Sequence, residues 1–567
     1  MQKHRTLRAL FARCAIPFLL CPVLITTATG HPYSPQTNAS DTPLFAGLGT
    51  YERPVNTSSP VAQLYFNQGL VLAYAFNHDE AIRSFKEAAR LDPNFAMAWW
   101  GIALANGPHI NNPHMSPGQS QAAWDALKKA LALQWQARPV DRALIQALAS
   151  RYADPPPENR RPLDEAYAAA MREVWLAHPY DPDVSTLFAE SLMDLRPWDL
   201  WTTDGRPRPE TVEVVAVLEQ TLQQAPDHPG ANHLYVHAVE ASPEPGKALA
   251  SADRLTRLVP GAGHLVHMPA HIYARTGRWQ QAAEANERAI AADQQYRAVS
   301  PQQAFYRVYM AHNHHFLAFT AMMEGRSEVA LAAAREMIAD IPPDFVESHT
   351  AHVDPLMPVP LQVLMRFGRW QEILREPAPP EYMPVATAYW RFARASAYAA
   401  LGQLDQAVQE QAAFRQAAAE VPPETMLMIN PASHMLAIAD HVLAGEIAFR
   451  RKDYDTAIAE LRTAVELEDK LIYMEPPEWI QPVRQSLGAV LLAAGRPAEA
   501  EAVYREDLQR WPNNGWSLYG LAQALRQRGD EAQAAQVQQQ LEQAWSRADY
   551  ALTASCSCAA KHPAGPR

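Results

Sequence analysis

The sequence predicts an all-α protein, a right-handed solenoid of helix-turn-helix repeats, and three observations carry that reading. Small residues, aromatics and prolines recur at a fixed spacing along the chain. Windows rich in Ala, Gln, Glu, Leu and Arg, such as 455–469 and 498–509, have the composition and periodicity of amphipathic helices. Strand signals are nearly absent. At 567 residues the chain exceeds what one hydrophobic core organises, so it must form either several domains or one elongated array. The recurring spacing selects the array.

That spacing is explicit. Gly69, Ala81, Phe85, Ala88 and Pro93 form one set, and Gly488, Ala500, Tyr504 and Pro512 repeat it. Gly445, Ala457, Leu461 and Ala464 make a third, and Ala248 with Pro260 keeps the step seen between Ala81 and Pro93. Small residues let two antiparallel helices approach closely, and the terminal proline ends the second helix before the next unit. The pattern resembles the tetratricopeptide repeat family. Units are expected to begin near residues 61, 95, 160, 184, 229, 262, 309, 355, 385, 434, 481 and 515. Irregular insertions are expected at 106–120, 152–162, 196–210 and 341–360, where Pro, Asn, Asp and Gly cluster.

Longer strings are similar to those of exported bacterial tetratricopeptide-repeat proteins. They are Ala189–Asp194 with Pro197 and Trp198, His264–Arg278, and Glu475–Trp479 followed by Arg484–Gly488. The likeness spans most of residues 60–545 and implies the fold and export, but no activity.

The N-terminus reads as an export signal. Lys3, Arg5, Arg8 and Arg13 precede an apolar stretch from Cys14 to Ile25, and small residues Ala28 and Gly30 follow. The expected division is a signal over 1–30, a poorly ordered lead-in over 31–60 and N-terminal repeats with insertions over 61–228. Central histidine-rich repeats over 229–360, C-terminal repeats over 361–547 and a disordered tail over 548–567 complete it. A periplasmic or secreted location follows, with no transmembrane segment after signal removal. The net charge of −12 includes four positive charges that leave with the signal. Such an acidic balance argues against nucleic acid or an anionic membrane as partner. Two of the four cysteines lie in the signal, and Cys556 and Cys558 lie near the end, so no disulfide framework is expected in the body.

Of twenty histidines, ten fall between residues 231 and 352. Their register is the stronger signal. His233 and His267 are one repeat apart, as are His237 and His271, and as are the alanines Ala248 and Ala282. A third unit anchored at Ala330 places His315 level with His267, and His312 level with His264. Within one helix, His233, His237 and Glu240 share a face, as do His264, His267 and His271. The family resemblance implies that this stripe lines the concave groove. Helices pack roughly 8–10 Å apart, so imidazoles from neighbouring repeats can converge as a transition-metal site needs.

The candidate ligands are therefore His233, His237, Glu240, His264, His267, His271, His312 and His315. Glu190, Asp194, His349, His352 and Asp354 are candidate outer or additional partners. Zinc, copper and iron all accept imidazole. Pro269 removes a backbone hydrogen bond inside the helix of His264, His267 and His271, so a kink beside the site is expected, with a frayed first turn as the alternative. The loop of Asn106, His109, Asn111, Asn112 and His114, preceded by Trp99 and Trp100, reads either as a lid over the groove or as a solvated loop. His314 is expected to be structural. The His-Glu-x-x-His, Gly-Lys-Ser/Thr and Gly-x-Ser-x-Gly signatures are absent. The expected function is binding or processing of a small molecule or peptide at a metal site. The alternative is a non-catalytic scaffold that holds segments of envelope proteins.

Overall fold

Helix ends follow from local chemistry. Ser59, Asn77 and Asp181 each turn a side-chain oxygen to the free amides of the helix that follows. Proline at the first turn, as in Pro60, Pro182 and Pro229, uses a position where no amide hydrogen is needed. The computed structural model describes residues 42–301, 303–341, 345, 346 and 350–560.

The first fifteen helices are α1 (Pro60–Tyr74), α2 (His78–Leu91), α3 (Ala96–Ala105), α4 (Pro117–Leu133), α5 (Pro139–Leu148), α6 (Arg161–Ala177), α7 (Pro182–Met193), α8 (Thr211–Gln224), α9 (Pro229–Val239), α10 (Leu249–Leu258), α11 (Gly263–His267), α12 (Pro269–Arg275), α13 (Trp279–Val299), α14 (Arg307–Glu324) and α15 (Ser327–Ala339). Five hairpins follow: Val359–Arg366 with Trp370–Ile373, Pro384–Ala400 with Leu404–Glu420, Ala432–Arg450 with Tyr454–Glu468, Val483–Ala493 with Pro497–Arg510, and Gly515–Gln527 with Glu531–Ala544. A two-residue antiparallel ladder, Met426–Leu427 against Asn430–Pro431, is a minor exception to the helical pattern.

Each helix packs on the next in sequence, as a repeat array requires. The small residues of the repeat pattern have a direct cause. Phe85 of α2 is wedged between Gly69 of α1 and Gly101 of α3, where an added Cβ would meet its ring at 2.7 and 2.6 Å. Tyr504 occupies the same place between Gly488 and Gly520, at 2.3 and 2.2 Å. Both aromatics are fully buried.

Most expected unit starts fall within two residues of an observed helix start. Residue 160 does not begin a unit: α6 is the second helix of a pair whose first member, α5, was not anticipated. The unit expected near 355 begins with the helix Val359–Arg366.

Both described ends depart from expectation. Of the segment expected to be a poorly ordered lead-in, residues from Thr42 onward form a strap docked on the repeats. Arg53 is 4% exposed and binds Asp141, Asp181 and Asp183 at 2.8, 2.9 and 2.8 Å. Gly261 donates its amide to Gly47 at 2.8 Å. Part of the expected disordered tail is also packed. Asp549 accepts from the amide and hydroxyl of Ser327, Ser555 bonds Tyr504, and Cys556 is disulfide-bonded to Cys558. Residues 1–41 and 561–567, including the whole expected signal, lie outside the described residues.

Distant repeats also meet. Tyr74, at the end of α1, packs against Gly230 in α9. Trp279 donates its indole N–H to Pro512, and Trp516 donates to Met322, both at 2.8 Å. Together with the loops around Trp198 and Glu475, these contacts close the array over its central repeats. Among the described residues, no helix is long and apolar enough to cross a membrane.

Two substitutions test this packing. Gly488→Ala drives a methyl into Tyr504 and is expected to cost about 1–3 kcal/mol, read as a lowered urea midpoint with unchanged slope. Arg53→Leu removes the buried cation shared by Asp141, Asp181 and Asp183, leaving Asp183 only Tyr51, Tyr74 and His228, and is expected to cost about 3–5 kcal/mol. An unchanged midpoint for Arg53→Leu would contradict an integral strap.

Candidate functional site

α9 carries His233 and His237 one helical turn apart, so both imidazoles leave the same face. Pro269 divides the next first-position helix into α11 and α12 at Met268, as expected of a residue that lacks an amide hydrogen. His264 and His267 lie on α11, His271 on α12, and His312 on α14.

These six histidines form two groups of three. In each group one ligand atom from every residue lies within 4.8 Å of the others. The first is His233, His237 and His264, with the Nε2 atoms of His233 and His264 3.1 Å apart. The second is His267, His271 and His312. Its central atom is His267 Nε2, 2.7 Å from His271 Nε2 and 3.1 Å from His312 Nε2.

Most opposite ring nitrogens are held by the protein. His233 Nδ1 faces the Tyr74 carbonyl at 2.6 Å, and His267 Nδ1 faces Asn286 Oδ1 at 2.7 Å. Glu240 serves both groups: Oε1 lies 2.9 Å from His237 Nδ1, and Oε2 is hydrogen-bonded to His271 Nδ1. An acceptor at Nδ1 places the proton there and leaves Nε2 as a lone pair. His237 Nε2 and His264 Nδ1 have no hydrogen-bond partner among the described residues.

Burial sets the electrostatics. His233, His264, His267 and His312 are held well below the usual imidazole range, first by burial and then by neighbouring histidines. Each is neutral near pH 7 and so presents a lone pair. Burial also pulls His271 down, but the Glu240 carboxylate outweighs it and the net shift is upward. Burial raises Glu240, yet His271 and His237 bring it down to about 2, so it is ionised. Glu475 lies with Oε2 3.6 Å from His271 Nδ1 and is hydrogen-bonded to the Tyr473 hydroxyl; burial pushes it up to about 8. Glu240, His271 and Glu475 form a third close group. Its imidazole atom is the Nδ1 already engaged by Glu240, and Glu475 Oε2, at 3.6 Å, makes no hydrogen bond to it.

The remaining sequence candidates fall elsewhere. His315 belongs to neither group, and burial brings it down to about 4. Asp194 binds Arg151 at 2.5 Å, and Glu190, pushed up to about 7 by burial beside Arg151, is in none of the groups. Asp354 caps the helix Pro384–Ala400 by accepting the amides of Val385 and Ala386 at 2.9 and 2.8 Å. His349 and the side chain of His352 lie outside the described residues. His314 stands apart from both groups, 3.7 Å from Glu336.

The stripe expected to line the concave groove is covered. His233 and His267 are 0% exposed, and His237 is 5% exposed. Phe76, from the turn after α1, places its ring 4.5 Å from that of His233 and 4.3 Å from that of His109 of the first insertion, tilted against both. Trp198 stands 5.5 Å from His237. The aromatic loops thus cover the stripe. Tyr74, Phe76, Asn286, Tyr473 and Glu475 were not among the site residues expected. Only Glu475 carried a sequence signal, in the Glu475–Trp479 string.

The tetratricopeptide repeat family pattern matches residues 62–95, which cover most of the α1–α2 hairpin. The human IFIT1 dimer with m7Gppp-AAAA is 14% identical, covering 86% of this chain and 91% of that one, with a TM-score of 0.31. Yeast Tom70 is 12% identical over 86% and 91%, with a TM-score of 0.26. The P58(IPK) TPR domain is 13% identical over 82% and 98%, with a TM-score of 0.22. No curated protein sequence matches the chain. The fold is an α-solenoid of helical hairpins, the first of which matches the tetratricopeptide repeat pattern.

Replacing Glu240 by Leu leaves two buried imidazole N–H groups without acceptors. The expected cost is about 1–3 kcal/mol for each, measured by urea unfolding of the metal-free protein. A variant as stable as the parent would contradict the shared hydrogen bonds.

Proposed function

We propose that this chain is an exported tetratricopeptide-repeat protein whose central repeats hold a transition metal in an imidazole pocket, and that this centre binds or processes a small molecule. The observation that carries the reading is the convergence of six imidazoles, most of them with the opposite nitrogen fixed by a protein acceptor. Burying six histidines costs stability unless their polar atoms find partners. A metal ion supplies that partner at Nε2, where the protein offers only other imidazoles.

The chemistry of the donor set narrows the metal to ions that accept nitrogen: zinc, copper or iron. Bound metal would supply Lewis acidity or redox exchange. The chain's own part is to fix ring orientation through Glu240, Asn286 and the Tyr74 carbonyl, and to exclude bulk water with Phe76 and Trp198. Export rests on the basic and then apolar N-terminal segment.

The test is elemental analysis of the untagged protein beside a His233→Gln, His267→Gln, His271→Gln variant. Near-stoichiometric zinc, copper or iron, lost in the variant, is expected. Glu240→Gln, which keeps the shape but weakens the outer contacts, is expected to lower metal affinity about 10–100-fold. No metal after reconstitution with each ion would refute the proposal.

A further inference from the structure

The two histidine groups are successive copies of one arrangement. Each consists of an i, i+4 pair, on α9 in the first group and across the break between α11 and α12 in the second, and a single histidine from the next repeat. His233 and His237 join His264, and one repeat later His267 and His271 join His312. The single histidine in each case lies three residues before the next position in the register, His264 before His267 and His312 before His315.

The series stops at both ends for visible reasons. A third group would begin at His315 and needs a histidine four residues later, where the chain has Phe319. A preceding group would need a histidine one repeat before His264, where Gly230 makes room for the Tyr74 ring. The arrangement is therefore a pair, and the pair is bridged. Glu240 holds His237 of the first group with one oxygen and His271 of the second with the other. Rings of the two groups stand close, 5.7 Å between His237 and His271 and 5.9 Å between His264 and His267.

Charge selects among metals. Two divalent ions bring four positive charges into a buried pocket, against at most two negative charges from Glu240 and Glu475. Two monovalent copper ions bring two. Uncompensated buried charge is costly, and imidazole is a good ligand for copper. Size selects the ligand. A cavity of ≈ 20 Å³ adjoins His237 of the first group and Glu240, the residue that bridges to the second, and is walled by Ile110, Met193, Arg196, Trp198 and Tyr473. It has room for one water-sized molecule. His237, whose Nε2 is unpartnered, is on its wall.

Resting on the metal reading above, we propose that each three-histidine group holds one copper ion, and that the pair, as Cu(I), binds dioxygen. Each Cu(I) gives one electron, dioxygen takes two, and both ions become Cu(II). No proton or external reductant is required, and release of dioxygen reverses the transfer.

The test loads the metal-free full chain with excess Cu(I) under anaerobic conditions, removes unbound copper, counts the rest and admits air. Two copper ions per chain are expected, with one dioxygen consumed per pair and an EPR signal far below the total copper because the spins couple. His264→Gln and His312→Gln, one in each group, are each expected to hold one copper, which dioxygen oxidises by one electron with release of superoxide, so that no coupled pair forms and the full Cu(II) signal appears in air. If one variant fails to fold, the other reports the same loss from its own group. One copper per chain, or two that are magnetically independent and take up no dioxygen, would overturn the pair. Binding of zinc or iron but not copper would overturn this inference and leave the transition-metal reading standing. Failure to bind any ion would remove both.

Discussion

A buried imidazole carries two ring nitrogens that both want a partner, and meeting that demand for six rings at once organises the centre of this protein. For four of the six rings the Nδ1 side is met by fixed groups: a backbone carbonyl for His233, an amide for His267, and one carboxylate for His237 and His271. The Nε2 side is left turned inward, where the rings meet each other. Glu240 matters most, because it is ionised and spans both groups. Its carboxylate supplies negative charge in a pocket where His233, His264, His267 and His312 are neutral.

The outer parts of the chain bear on this centre through hydrogen-bonded relays. Arg53 of the N-terminal strap binds Asp183, Asp183 accepts the Tyr74 hydroxyl at 2.6 Å, and the Tyr74 carbonyl faces His233. On the far side, Glu475 reaches His271 from a loop between two C-terminal hairpins. An open array lets each repeat touch only its neighbours. Here the strap and the contacts of Pro512 and Trp516 with the central repeats close it, which is why a stripe expected in a groove is enclosed instead.

The local part of this structure was legible in the sequence. Helix pairs followed from the spacing of Gly69, Ala81 and Phe85, because packing of a glycine against an aromatic is a contact between adjacent helices. The break at Pro269 was also readable, since proline acts on its own helix. The histidine register identified all six clustered residues and Glu240, but not their grouping. His264, His267 and His271 read as one face, whereas the structure gives His264 to the preceding pair. His315 was included because it keeps the register, although Phe319 denies it a partner four residues on. What could not be read were contacts set by closure: Tyr74 with His233 is 159 residues apart, and no local pattern encodes it. Asp194 and Asp354 lie in none of the close groups: Arg151 pairs with one oxygen of Asp194, and Asp354 caps the helix Pro384–Ala400.

The most direct test of the central claim is anomalous diffraction from crystals of the metal-loaded protein. The account predicts a peak in each three-histidine group, about 2.0 Å from its Nε2 atoms, with Glu240 contacting Nδ1 of His237 and His271 rather than the ions. An empty pocket, with the histidines bonded only to one another and to water, would contradict it.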